Sequence, residues 1–180
     1  MFAVGDVSGH GVQATTVMAR LHFAIRAYAV DGDDPATILQ KLSSLVNVSQ
    51  DGHFATVLCG EVDVAARSLT LANAGHPPAL VVAQTGEYLS SPVGPPVGVA
   101  EGVEYPTRTF QLPDNATLIV YTDGLIERRG ENPDIGLGRL QSAVAGVDGS
   151  VSDLVAAVIA AVAAPQTEDD MVVLGLRWLE

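Results

Sequence analysis

The hydrophobic positions of the chain change period several times, and each change predicts an element. A short apolar run, Met1 to Val4, ends at Gly5-Asp6 and predicts the tail of a strand, followed by a glycine-bearing turn, Val7-Ser8-Gly9-His10-Gly11. Ala14, Val17, Met18, Leu21, Ile25 and Tyr28 then recur at helical spacing, which predicts an amphipathic helix over 12–30. Asp31-Gly32 ends it. Asp34-Pro35 reads as an N-cap followed by proline at the first helical position, and Ile38, Leu39, Leu42, Leu45 and Val46 give the second helix, over 34–49, its apolar face. The middle of the chain is rich in β formers. Residues 54–62 and 68–72 predict a hairpin around Ala65-Ala66-Arg67, and 79–83 with 88–89 a second one around Gln84-Thr85-Gly86-Glu87. The Pro- and Gly-rich stretch 91–98 predicts an ordered loop. Two more strands, 107–112 and 117–122, are joined through Pro113-Asp114-Asn115; 137–144 and 152–162 read as helices and 171–178 as a buried closing strand. Helices grouped with helices, and strands with strands, predict an α+β fold of mostly antiparallel sheet covered by helices. No repeat or linker divides the chain, so a single domain over 1–180 is expected.

Composition narrows the function. With 48% hydrophobic and 17% charged residues, the 180-residue chain is not a disordered one. Nine Lys and Arg against 21 Asp and Glu give a net charge of -12. That field repels nucleic acid and anionic membranes and favours cationic partners, metal ions included. Cys59 is alone, which excludes an internal disulfide and a multi-cysteine zinc site, and its apolar setting reads as that of a buried small hydrophobe. The N-terminus lacks the basic region and apolar stretch of a signal peptide. The Ala/Val-rich run 151–164 is shorter than the roughly 20 residues of a membrane span and is interrupted by Asp153. A soluble cytoplasmic protein is expected.

Acids stand at the ends of apolar runs. Asp6 follows one and precedes a glycine turn; Asp123 follows Leu118-Ile119-Val120-Tyr121-Thr122 and precedes Gly124; Asp169 and Asp170 come directly before the last strand. On neighbouring strands such carboxylates would share one rim and repel one another unless a cation lay between them. Hard divalent ions such as Mg²⁺ or Mn²⁺ suit an all-oxygen donor set. The ordinary alternative, that each acid is a turn residue or a cap, stays open at this point.

The ordered set of motifs carries more. Gly5-Asp6-Val7-Ser8-Gly9-His10-Gly11 resembles the signature turn of the SpoIIE/RsbU-type bacterial serine phosphatases of the metal-dependent PPM superfamily. Further segments follow in the family's order: Phe54-Ala55-Thr56 with Gly60, Ala72-Asn73-Ala74-Gly75-His76-Pro77-Pro78, Gly94-Pro95-Pro96-Val97-Gly98-Val99, and Tyr121-Thr122-Asp123-Gly124-Leu125-Ile126-Glu127. Glu168-Asp169-Asp170-Met171-Val172-Val173-Leu174 resembles the closing Asp-Asp motif, with Val172 where the family usually has threonine.

The resemblance implies a PPM-type α/β sandwich, two antiparallel sheets flanked by helices, with a site for two Mn²⁺ or Mg²⁺ ions at one edge. It implies that Asp6 bridges the metals, that the Val7 carbonyl is a further ligand, and that Asp123 and Asp169 hold one metal from the other sheet. Asp170 ranks below Asp169, because strand alternation sends it to the opposite face. The family also has strands upstream of the glycine turn and another ligand acid there, so the chain is expected to be an N-terminally truncated domain lacking the first strands. The unpaired sheet edge this leaves is expected to recruit a second copy as a homodimer.

The implied reaction is hydrolysis of a phosphoserine or phosphothreonine monoester. The implied substrate is a phosphorylated STAS-type anti-anti-sigma protein in a bacterial partner-switching pathway controlling a sigma factor, and an upstream sensor domain is the implied regulator, acting through the helices 12–30 and 34–49. His10 is the candidate proton donor to the leaving serine oxygen; the alternative is a helix-start histidine that hydrogen-bonds the turn. His76 reads as a structural hydrogen-bonding residue, Ser8 as a turn cap, and Arg128 and Arg129 as solvated surface charges; His22 and His53 have no assigned partner. Gly9, Gly11 and Gly124 read as tight-backbone positions. Two other functions stay open. One is a catalytically impaired pseudophosphatase acting as a phosphoprotein-binding module. The other, a phosphate- or nucleotide-binding protein using the Gly5–Gly11 turn, lacks the lysine of a P-loop, since Lys41 lies far along the chain.

Overall fold

The computed structural model describes residues 1–147, 149–162 and 170–178. They form two compact units: Met1–His76 with Ser91–Gln111, and Pro77–Ser90 with Leu112–Glu180.

The first unit is a sheet covered by helices. Strand β1 (Phe2–Val7) pairs antiparallel with β2 (Ala55–Asp63), and β2 with β3 (Ser68–Ala74). The far side of β3 is shared: Ser68–Ala72 pair antiparallel with β7 (Thr107–Gln111), while Asn73 and Ala74 pair parallel with the two-residue β6 (Val93–Gly94). The predicted loop 91–98 therefore contains a strand, and this sheet is not wholly antiparallel. Its proline and glycine content hid a bridge that needs two residues only.

Helix α1 (Val12–Val30) has the expected bounds. Its buried face is narrower than its periodicity implies: Ala14, Val17 and Leu21 are buried, whereas Met18 is half exposed. Helix α2 (Pro35–Leu45) starts at the predicted cap, where Asp34 Oδ1 accepts from the amides of Ala36 (2.9 Å) and Thr37 (3.0 Å). It stops four residues early. Val46 is buried in extended conformation, and a separate single turn, α3 (Val48–Asp51), follows with Asn47 as its cap. Ile38, Leu39 and Leu42 are fully buried against Val57, Cys59 and Ala72 of the sheet. Each such side chain contributes about 2 kcal/mol relative to exposure.

The second unit has the strand order β5-β4-β8-β9, all antiparallel: β4 (Leu80–Val82), β5 (Gly86–Tyr88), β8 (Thr117–Tyr121) and β9 (Val173–Arg177). The β4–β5 hairpin turns earlier than predicted, through residues 83–85. Consecutive strands β7 and β8 lie in different sheets, so Pro113-Asp114-Asn115 joins sheets. Helix α4 (Pro133–Ala143) begins four residues before the predicted start, because Asn132 caps it and Pro133 opens it, and α5 (Val151–Val162) packs beside it. β8 is buried throughout, whereas β9 is only half-buried. That corrects the expectation of a buried closing strand: β9 is the outermost strand of its sheet. Among the described residues no helix is long and apolar enough to cross a membrane.

Candidate metal and catalytic site

Asp6 and Val7 are strand residues, not turn residues: β1 runs through both before the chain bends at Ser8. Alternation divides their roles. Ala3 and Val7 pack on the helix-covered core of the first unit, so Asp6 projects from the opposite face, half-buried and in register with Thr56 on β2. The Val7 backbone is turned the other way. Its register partner Ala55 spends both backbone groups on Val97, donating to the Val97 carbonyl (3.0 Å) and accepting from its amide (2.8 Å). Val7 and Ala55 thus form a pair without mutual hydrogen bonds, and the Val7 carbonyl is directed off the outer edge of β1. A carboxylate and a carbonyl at one strand end match the donor chemistry of a hard divalent ion.

The turn beyond Val7 is tightly held. The Ser8 amide donates to the Phe54 carbonyl (2.9 Å), and the Phe54 amide donates back to Ser8 Oγ (3.0 Å). His53 Nδ1 lies 2.6 Å from the Ser8 carbonyl. Ser8, expected as a turn cap, instead locks the turn to the segment before β2. His53 acquires a partner that its position before a strand did not reveal. Gly9 (φ 83°) and Gly11 (φ 90°) occupy left-handed backbone that disfavours side chains, and a Cβ on Gly9 would meet the His53 ring at 3.2 Å. His10 stands between these glycines, exposed.

Behind Asp6, Thr56 Oγ1 lies 3.2 Å from Nδ1 of buried His76. The loop bearing His76 is pinned by Asn73, whose amide donates to the His76 carbonyl (2.9 Å) and whose Oδ1 accepts from the His76 amide (2.8 Å). His76 is thus a built-in hydrogen-bonding residue. Cys59 is fully buried on β2, and burial pushes its thiol up to about 12, far from the thiolate a metal would need.

In the second unit Asp123 begins a 3-10 turn, Asp123–Leu125, directly after β8. Its Oδ1 accepts from the Gly124 amide (2.9 Å), and its carbonyl accepts from the amides of Ile126 and Glu127, both at 2.8 Å. The turn is braced from α4: Arg139 Nη2 donates to the Ile126 carbonyl (3.3 Å) while Nη1 pairs with Glu131 (2.6 Å). Arg128 is not the solvated charge expected; it is half-buried and donates to the Val162 carbonyl at the end of α5 (3.2 Å). Thr122, buried, is hydrogen-bonded to Asp170 and Val172.

Of the predicted ligands, Asp6 and Val7 belong to the first unit and Asp123 to the second, while Asp169 lies outside the described residues. Asp170 is exposed. Among the described residues no three His, Cys, Asp or Glu side chains gather as a metal cluster. Thr56 and Thr122 lie inside the sequence motifs, but their bracing role, like that of Arg139, is recognised only by a partner 13 to 50 positions away.

The family model described as Stage II sporulation protein E (SpoIIE) matches residues 1–179. The chain is 29% identical over 128 residues to the phosphoserine phosphatase RsbP of Bacillus subtilis, covering 68% of this chain and 32% of that protein. It therefore spans about a third of that relative's length. The solved RsbU and RsbW domains of a Mycobacterium tuberculosis protein superpose with a TM-score of 0.80 at 27% identity, over 97% of this chain and 51% of theirs. The PP2C phosphatase domain of Bacillus subtilis SpoIIE gives 0.76 at 19% identity, over 97% and 53%, a likeness of fold. The chain belongs to the SpoIIE family.

Proposed function

We propose that this chain is a metal-dependent protein serine/threonine phosphatase domain that hydrolyses a phosphoserine monoester. The observation that carries the reading is the end of β1, where register turns the Val7 carbonyl off the sheet edge beside the Asp6 carboxylate, within a chain matched to the family from end to end. Bound Mg²⁺ or Mn²⁺ supplies an activated water and neutralises phosphoryl charge. Asp6 would bridge two ions, the Val7 carbonyl would add a ligand, and Asp123 and Asp169 would hold one of them. The Ser8–Phe54 lock and the Gly124 amide keep two of these donors in fixed orientation, which lowers the reorganisation cost of binding. His10, exposed at the turn, would give a proton to the leaving serine oxygen. The name of RsbP, a phosphoserine phosphatase, supports a phosphoserine substrate; by the family resemblance the proposed substrate is a phosphorylated STAS-type anti-anti-sigma protein in the cytoplasm.

The test is release of phosphate from a phosphoserine protein with and without Mn²⁺, on the wild type, Asp6→Asn and Asp123→Asn. Turnover that requires Mn²⁺ and is lost in both variants supports the assignment. Turnover indifferent to Mn²⁺, or intact in Asp123→Asn, overturns it. Tight binding of the phosphoprotein without turnover identifies the non-catalytic binding module instead.

A further inference from the structure

Thr122 is the residue before Asp123, and its backbone (φ -82°, ψ 159°) makes it the N-cap of the 3-10 turn. A threonine there ordinarily turns its hydroxyl onto the amides of its own turn. This one does not: the turn is closed by the Thr122 carbonyl, which accepts from the Leu125 amide (3.0 Å), and no side-chain cap forms. The hydroxyl is directed across to the chain entering β9. Oγ1 accepts from the Val172 amide (3.0 Å) and donates to the Asp170 carbonyl (3.3 Å), and the Thr122 amide donates to the Val172 carbonyl (3.1 Å). The ladder of β8 and β9 ends one pair earlier, at Tyr121 and Val173. Three hydrogen bonds from one residue thus prolong the junction past the sheet, onto the stretch that carries Asp170. Thr122 is 2% exposed, so water does not substitute for a missing partner, and Val172 has no hydroxyl to offer in exchange.

We propose that Thr122 is a positioning residue of the metal site: its buried hydroxyl fixes the backbone at Asp170, just before β9, to the base of Asp123, setting the distance between two acids 47 positions apart in sequence. This rests on the metal-dependent reading above. Groups that orient ligands from behind typically control affinity by 10- to 100-fold when removed.

The experiment compares the wild type, Thr122→Val, Thr122→Ser and Asp123→Asn. The valine variant keeps the shape and removes the hydroxyl; the serine variant restores it. Mn²⁺ affinity is read by isothermal titration, and exchange of the Val172 amide by NMR in metal-free protein. The expected result is Mn²⁺ binding about tenfold or more weaker in Thr122→Val, near-wild-type binding in Thr122→Ser, and faster Val172 exchange in the valine variant alone. Unchanged affinity in a folded Thr122→Val, or failure of serine to rescue, overturns the positioning role while leaving the metal site standing. If the wild type and Asp123→Asn bind Mn²⁺ equally weakly, the metal reading falls and takes this role with it.

Discussion

Helix α4 contains two glycines two positions apart, and alanine substitution should act on them with opposite sign. Gly138 is exposed, with nothing within 4 Å of the place a Cβ would occupy. Gly138→Ala therefore gains helix propensity, about 0.8–1 kcal/mol, at no steric cost. Gly136 is buried against the segment that follows Asp123, where a Cβ would stand 2.0 Å from the Ile126 carbonyl oxygen and 2.8 Å from its carbon. Ordinary contact begins at 3.4 Å, so backbone must move by more than roughly 1 Å. The Ile126 carbonyl also accepts from Arg139 Nη2, so that hydrogen bond is strained by the same movement. Overpacking costs about 1–3 kcal/mol; against rigid backbone the upper end applies, and after the propensity gain a net loss of about 2 kcal/mol remains.

In a chain of this size 1 kcal/mol corresponds to about 2–4 °C in Tm. Gly136→Ala should lower the melting midpoint by about 4–8 °C, and Gly138→Ala should raise it by about 2–4 °C, in paired thermal scans in one buffer. The displaced segment begins at Asp123, so Mn²⁺-dependent turnover should fall in the first variant and hold in the second. Equal stabilisation by both substitutions would refute the close approach of α4 to the Asp123 segment, and with it the bracing argument.

Two other expectations follow from the first unit. Asp34 is held below the usual aspartate value of 3.8, chiefly by the Thr37 amide; a depressed carboxyl stabilises the fold above its unfolded pKa, and the effect is lost as pH falls through the folded value. Asp34→Ala should cost about 1 kcal/mol at pH 7, and its gap in urea midpoint from the wild type should narrow as pH drops below 3.8; a gap independent of pH would remove the charged cap from the account. Burial pushes the Cys59 thiol up to about 12, so at pH 8 only roughly one molecule in ten thousand carries the thiolate. A chromogenic disulfide reagent should leave the folded protein unlabelled and titrate one thiol in denaturant; rapid labelling in native buffer would contradict the burial of β2.

The elements that could be read from sequence are those whose signal is local. The N-cap of α2 needs only Asp34-Pro35, and α1 declares itself by the spacing of Ala14, Val17 and Leu21. The elements misread depend on distant pairing. Val46 looks like a continuation of α2 until its burial against the first unit's core requires extended backbone, and Val93-Gly94 looks like loop until Asn73 and Ala74 supply the parallel partner. Likewise β7 and β8 are adjacent in sequence, yet their partners, β3 in one case and β4 with β9 in the other, assign them to different sheets.

The same division runs through the candidate site. Asp6, Asp123 and the Asp169-Asp170 pair are visible because acids between apolar runs and glycines form short motifs, and the order of those motifs carries the family. How the acids are held is only partly visible: Ser8, Thr56 and Thr122 stand inside those motifs, but the partners they meet lie far along the chain. Ser8 is locked by Phe54, Thr56 meets His76, and Thr122 reaches Asp170 and Val172, each across 20 to 50 positions. A hydroxyl has no sequence signature until its partner is known, whereas a buried hydroxyl left unpaired costs about 1–3 kcal/mol. Removing the Thr56 or Thr122 hydroxyl would therefore act on folding energy as well as on the candidate site. Affinity for Mn²⁺ and stability of the metal-free fold have to be measured side by side, because only a variant that moves the first more than the second identifies a residue whose work is done at the site.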